Sequence, residues 1–113
     1  MTNPNYKKGA AFELVMLHKF EALGYFSTRS SGSHGKGDLI LFPILGKAQP
    51  IEAVHNGKPF VCDPLIPKIC QCKRSESNYK KEKEEFAALK FDCPVNRLWI
   101  SKKDYQKEII EVV

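Results

Sequence analysis

Three residues in this chain have the types and spacing of a hydrolytic metal site. Asp38 stands where the small, polar run STRSSGSHGKG (27–37) gives way to the apolar DLILF (38–42). Gln71 and Lys73 stand two apart in ICQCKRS (69–75). Side chains alternate along a strand, so Gln71 and Lys73 share a face while Cys72 turns into the core. If 38–44 and 69–74 are neighbouring strands, Asp38 and Gln71 converge at one end. The Asp38 carboxylate, the Gln71 amide oxygen and the Cys72 backbone carbonyl make a hard-oxygen set suited to Mg2+ or Mn2+. The Lys73 ammonium would then sit near a phosphate oxygen or a metal-bound hydroxide. Phosphodiester hydrolysis needs that combination, because the metal lowers the pKa of the attacking water and cations stabilise charge in the transition state. The spacing alone is equally that of a turn aspartate and an exposed Gln/Lys pair on an edge strand. Glu13 is a fourth candidate. It shares a helix face with Met16, Leu17 and Phe20, where a carboxylate is costly unless it finds a cation or donors. Reaching solvent from the first turns of the helix satisfies it as well.

The elements that must position these residues read as follows. KKGAAFELVMLHKFEALG (7–24) predicts a helix closed by Gly24, and YFSTRS (25–30) a short strand. SGSHGKG (31–37) predicts a turn, and DLILFPI (38–44) an apolar strand buried on both faces. Residues 45–68 hold four of the seven prolines, and His55-Asn56-Gly57-Lys58 is a hairpin signal, so about 43–68 reads as a hairpin-like insert. KICQCKR (68–74) is the next strand, 75–91 a helix with Ser75 as its N-cap, NRLWIS (96–101) a strand, and KKDYQKEIIEV (102–112) a short terminal helix. The order predicts an α/β domain, with a small mixed central β-sheet flanked by helices.

Length and charge bound the rest. At 113 residues the chain fits one domain, 1–113, with one modest core. Lys+Arg 18 against Asp+Glu 13 gives +5, which either aids solubility or draws the protein to a polyanion, nucleic acid being the commonest. There is no apolar run of about 18 residues and no signal-peptide core in MTNPNYKKGA, so no membrane partner is expected. A cytoplasmic location follows, in a prokaryotic cell or a virus-infected host. Cys62, Cys70, Cys72 and Cys93 lack CxxC spacing and read as reduced, mostly buried thiols, with a zinc site as the alternative.

The run from Arg29 to Lys36 is the candidate phosphate-binding segment. Arg29, His34 and Lys36 alternate there with Ser30, Ser33 and glycines, which let backbone amides approach phosphates closely. The charges of 73–90, Arg74, Glu82 and several lysines among them, read mostly as a solvated helix surface laced with ion pairs. Glu52, His55 and Asp63 of the insert are accessory ligands or, more simply, solvated hairpin residues.

A resemblance adds to this reading. NYKKGAAFE (5–13), GYFSTRSSGS (24–33), GDLI (37–40) and QCK (71–73) resemble, in order and wording, the archaeal-type Holliday junction resolvases of the PD-(D/E)xK nuclease superfamily. It covers roughly residues 5–75; the last third is similar only in element order. It implies a restriction-endonuclease-like core and Mg2+-dependent cleavage of four-way DNA junctions by a homodimer, with Mn2+ substituting. It implies that Glu13, Asp38 and Gln71 hold the metal, that Lys73 is the catalytic lysine, and that Arg29 and Ser33 contact the scissile strand. Lys7 and Lys8 would contact the DNA backbone, with Ser30, His34, Lys36 and Arg74 alongside. The chain departs from the family pattern at Gly37, where proline is usual, at Gln71, where glutamate is usual, and in the longer 43–68 segment. Asp…Gln-x-Lys is also the form of Mrr-like restriction endonucleases. An inactive DNA-binding relative is a third reading, with Gln71 marking loss of metal.

Overall fold

A computed structural model describes residues 4–29, 39–73, 79–103 and 105–113, with side chains from residue 11 onward. The described residues form two helices and a seven-stranded sheet. In chain order these are α1 (Pro4–Ala22), β1 (Tyr25–Arg29), β2 (Leu39–Pro43), β3 (Ile51–His55), β4 (Lys58–Cys62), β5 (Lys68–Lys73), α2 (Lys80–Ala87), β6 (Asn96–Ser101) and β7 (Ile109–Val112). The strands lie in the order β1-β2-β5-β6-β7-β3-β4. Neighbours are antiparallel except β5 with β6 and β3 with β7, which are parallel. This is the α/β domain with a mixed sheet flanked by helices that the element order predicts.

Helix α1 buries Phe12, Met16 and Phe20, one residue per turn, against one face of the sheet. That face supplies Tyr25, Leu39, Leu41, Ile51, Cys62, Cys70, Cys72, Leu98 and Ile100. The helix stops at Gly24, whose φ of +91° suits the left-handed position that ends a helix. Its carbonyl then accepts from the Ile44 amide at 3.0 Å, which fixes the start of β1 beside the end of β2. The other face is covered over β5 and β6 by α2, where Phe86 packs on Ile69 and Trp99. Alternation along β5 therefore decides sides. Cys70 and Cys72 face α1, while Ile69, and with it Gln71 and Lys73, face α2.

Two helix expectations are corrected. The stretch 102–112 is not a terminal helix but ends in β7, with Ile110 opposite Ile100 and Val112 opposite Leu98. Ile110 and Val112 pack on the α1-side core, so burial follows a period of two. The second helix does not run to residue 91. It stops at Ala87, and Leu89 and Phe91 leave it to pack around Ile69, Phe86 and Trp99. The Ser75 cap lies outside the described residues. The hairpin over 51–62 forms as expected, and Asn56 (φ 51°) and Gly57 (φ 77°) both take left-handed conformations, as a two-residue hairpin turn requires. It is not merely appended, because β3 pairs with β7 at Val54 and Glu111 and so extends the sheet. Among the described residues no helix is long and apolar enough to cross a membrane.

Candidate active site

Of the sequence candidates, the described Glu13, Arg29, Gln71 and Lys73 lie toward one end of the sheet, where β1 and β5 end and β2 begins. Strands β2 and β5 are antiparallel neighbours, with Leu39 opposite Cys70, Ile40 opposite Ile69 and Leu41 opposite Lys68. On the far side of β2, Leu39 is opposite Arg29, the last residue of β1. On the far side of β5, Gln71 is paired with Trp99 and Lys73 with Ser101 in parallel register. This end carries the carboxyl ends of the two parallel strands β5 and β6, where open α/β sheets commonly hold ligands.

Lys73 is the most constrained of these side chains. Its ammonium lies 2.7 Å from Glu82 Oε2 on α2, 4.8 Å from the centre of the Tyr79 ring and 5.8 Å from that of Trp99. Its side chain is 20% exposed, so the charge sits at a boundary between packed aromatics and solvent rather than loose in water. Two ring faces and one carboxylate hold it in place. The Lys73 carbonyl accepts from the Lys102 amide at 3.1 Å, which pins the strand end.

Glu13 is elsewhere in the site. Its carboxylate accepts a hydrogen bond of 2.9 Å from the Arg29 guanidinium, and the pair sits on the α1 side of the sheet. The cost of a carboxylate beside Phe12 and Met16 is thus offset by a cation from β1. The structure brings Glu13 together with Arg29, and Gln71 together with Lys73, on opposite sides of the same sheet end. The Cys72 side chain points into the α1-side core. Asp38, Ser30, Ser33, His34, Lys36 and Arg74 lie outside the described residues, as do the side chains of Lys7 and Lys8.

Near this end Gln71 and Glu82 carry oxygen donors, whereas the thiols of Cys62, Cys70 and Cys72 are buried in the core. Among the described residues no three His, Cys, Asp or Glu side chains gather as a metal ion would need. Gln71 is an amide and not one of those four types, and Asp38 lies outside the described residues.

Sequence reasoning missed Glu82, Tyr79 and Trp99 as partners of Lys73. Glu82 sits in KEKEE (81–85), where charges at helical spacing read as surface ion pairs. Its true partner is nine residues back on a strand, and only the packing of α2 on β6 reveals it. No protein-family model, curated protein or solved structure matches this chain.

Proposed function

We propose that this protein is a Mg2+-dependent, structure-selective DNA endonuclease that resolves four-way (Holliday) junctions by paired phosphodiester hydrolysis. The observation that carries the reading is the β2–β5 register. Leu39 is opposite Cys70; Asp38 precedes Leu39 in the chain and Gln71 follows Cys70. That β2 and β5 are neighbours is what the sequence reading of Asp38 with Gln71 requires, and Gln71 and Lys73 share the face of β5 opposite to Cys70 and Cys72. The ordered run of family-like wording over 5–75 supports the junction as substrate, and a restriction-endonuclease-like core is the fold that goes with it.

Each residue has a task in this account. Asp38 and the Gln71 amide oxygen would hold the cation, with the Cys72 carbonyl completing the oxygen set. When bound there, such a cation would lower the pKa of a coordinated water so that it could attack phosphorus near neutral pH. Lys73, already fixed between Tyr79, Trp99 and Glu82, holds a positive charge where the phosphate's charge builds up. Arg29 and the Ser/Gly-rich run after it would grip the backbone without reading bases, in keeping with the net charge of +5. A symmetric junction has two equivalent scissile strands, so two copies of the chain would each supply one site.

The test is cleavage of a labelled four-way junction beside a linear duplex of the same sequence, with Mg2+ or Mn2+ and with Asp38→Asn as control. Paired symmetric nicks in the junction alone, lost in the variant, are expected. Cutting of both substrates would favour the restriction-type reading. Bound but uncut junction would mark a DNA-binding protein without nuclease activity.

A further inference from the structure

We propose that Tyr79 is a positioning residue for Lys73, its ring standing where a helix cap would stand and holding the lysine ammonium at the end of β5. The inference rests on the nuclease reading above, which gives Lys73 the phosphate's charge to stabilise, and adds a residue from the start of α2.

Tyr79 breaks a local rule. It is the N-cap of α2, with φ −105° and ψ 26°, and its side chain makes no capping hydrogen bond. Serine, threonine, aspartate and asparagine suit this position, because a short side-chain oxygen accepts from the first free amides of the helix. The Tyr79 carbonyl already accepts from the Lys83 amide at 2.8 Å, a bond that any residue here could make. The side chain does something else. Its ring centre lies 4.8 Å from the Lys73 ammonium and 6.1 Å from the ring centre of Trp99. A helix of eight residues thus forgoes a side-chain cap for this contact. Breaks in local preference are expected where function asks for them.

The other two contacts of Lys73 have simpler causes. Trp99 is buried in the cluster with Ile69 and Phe86, and that packing accounts for it. Glu82 is half-exposed, and an exposed ion pair restrains a lysine weakly. Tyr79 is the partly buried member, at the edge of the same cluster. An aromatic face attracts a cation without supplying a counter-charge. The ring therefore fixes the ammonium and does not cancel the charge that a phosphate would meet. A transition state gains most from a charge that is already in place. Packing against Trp99 asks only for an apolar side chain at 79, whereas holding Lys73 asks for a ring face. That difference separates the two roles.

The experiment makes two measurements on the full chain, for wild type, Tyr79→Leu and Tyr79→Phe. Leucine keeps an apolar side chain against Trp99 without a ring, and phenylalanine keeps the ring without the hydroxyl. The first measurement is the NMR signal of the Lys73 side-chain methylene next to the ammonium, assigned through Lys73→Arg, without DNA or metal. Ring current is expected to hold that signal upfield in wild type and in Tyr79→Phe, and Tyr79→Leu is expected to release it. The second is single-turnover cleavage of the four-way junction with Mg2+, with junction affinity measured in parallel. Tyr79→Leu is expected to cut about tenfold more slowly at unchanged affinity, with Tyr79→Phe recovering the rate. An unmoved Lys73 signal in Tyr79→Leu, or cleavage by Tyr79→Leu at the wild-type rate, would overturn the role of Tyr79 and leave the nuclease reading standing. An equal loss of rate in Tyr79→Phe would overturn the ring as the acting part. A wild-type chain that shows the upfield signal but cuts no junction would overturn the nuclease reading, and this use of the contact with it.

Discussion

At the scale of single residues, the site and the core use buried polar groups in opposite ways. Lys73 keeps its charge at a boundary, held by a carboxylate and two rings. Lys68, five residues earlier on the same strand, is fully buried. Its ammonium donates to the carbonyls of Asp63, at 2.7 Å, and Ile66, and lies 5.3 Å from the Tyr25 ring. Burial pushes the pKa of Lys68 down from 10.5, and burial likewise pushes the Tyr25 phenol up from 10.0 to about 12. The consequences for stability differ in sign. Between the lowered Lys68 pKa and 10.5 the unfolded chain binds more protons than the folded one, so that contribution to stability rises with pH. Between pH 10 and about 12 the folded chain keeps the Tyr25 proton that the unfolded chain loses, so stability falls. A net fall is therefore expected above pH 10.5, and Tyr25 should ionise only as the protein unfolds. Tyrosinate absorbance followed beside circular dichroism checks this. The Tyr25 phenol is expected to ionise in step with unfolding. Its ionisation near pH 10 with the fold intact would contradict the assignment.

At the scale of elements, what the sequence made legible is what local chemistry decides. The apolar stripe of α1 and its glycine stop, the Asn-Gly hairpin, and the alternation in KICQCK all appear where their patterns put them. Strand β7 does not follow from its own letters. In KKDYQKEIIEV the apolar residues suit a helix as well as a strand, and pairing with β6, which is remote in sequence, decides. The carboxylate beside Lys73 was hidden for the same reason, since Glu82 meets β5 only where Phe86 of α2 packs on Ile69 and Trp99. The Gln71–Lys73 arrangement, by contrast, was readable from the period of two. Two glycines give a quantitative check on the turns. Both have positive φ, +91° at Gly24 and +77° at Gly57. A side chain at Gly57 meets open space, whereas one at Gly24 would run into the backbone of Lys47 and Ala48. Gly57→Ala should cost about 1 kcal/mol, from backbone strain alone. Gly24→Ala should cost about 3 kcal/mol or more, because α1 and the turn after β2 must separate. Urea denaturation of the two variants measures both, and equal costs would mean that the contact at Gly24 is not tight.

At the scale of the whole molecule, the sheet divides the labour between its two faces. The α1 face holds most of the buried core and ends in the Glu13–Arg29 pair. The α2 face carries Gln71, Lys73 and Glu82 at the end where β2 meets β5. Strands β7, β3 and β4 extend the sheet away from that end, and an open cleft of about 580 Å³ lies between β3, β7 and the end of α1. The account predicts that catalysis depends on the β2–β5 end and that grip on DNA is spread over the basic surface. Binding and cleavage should therefore separate. The most direct measurement is the single-turnover rate of junction cleavage at saturating protein and Mg2+, for wild type and Lys73→Ala, with junction affinity measured in parallel. Loss of one preorganised donor for transition-state charge predicts a rate about 100-fold lower or less still, with affinity changed only a few-fold. A Lys73→Ala protein that cuts the junction at the wild-type rate would contradict the account, because the lysine held between Tyr79, Trp99 and Glu82 would have no part in the chemistry.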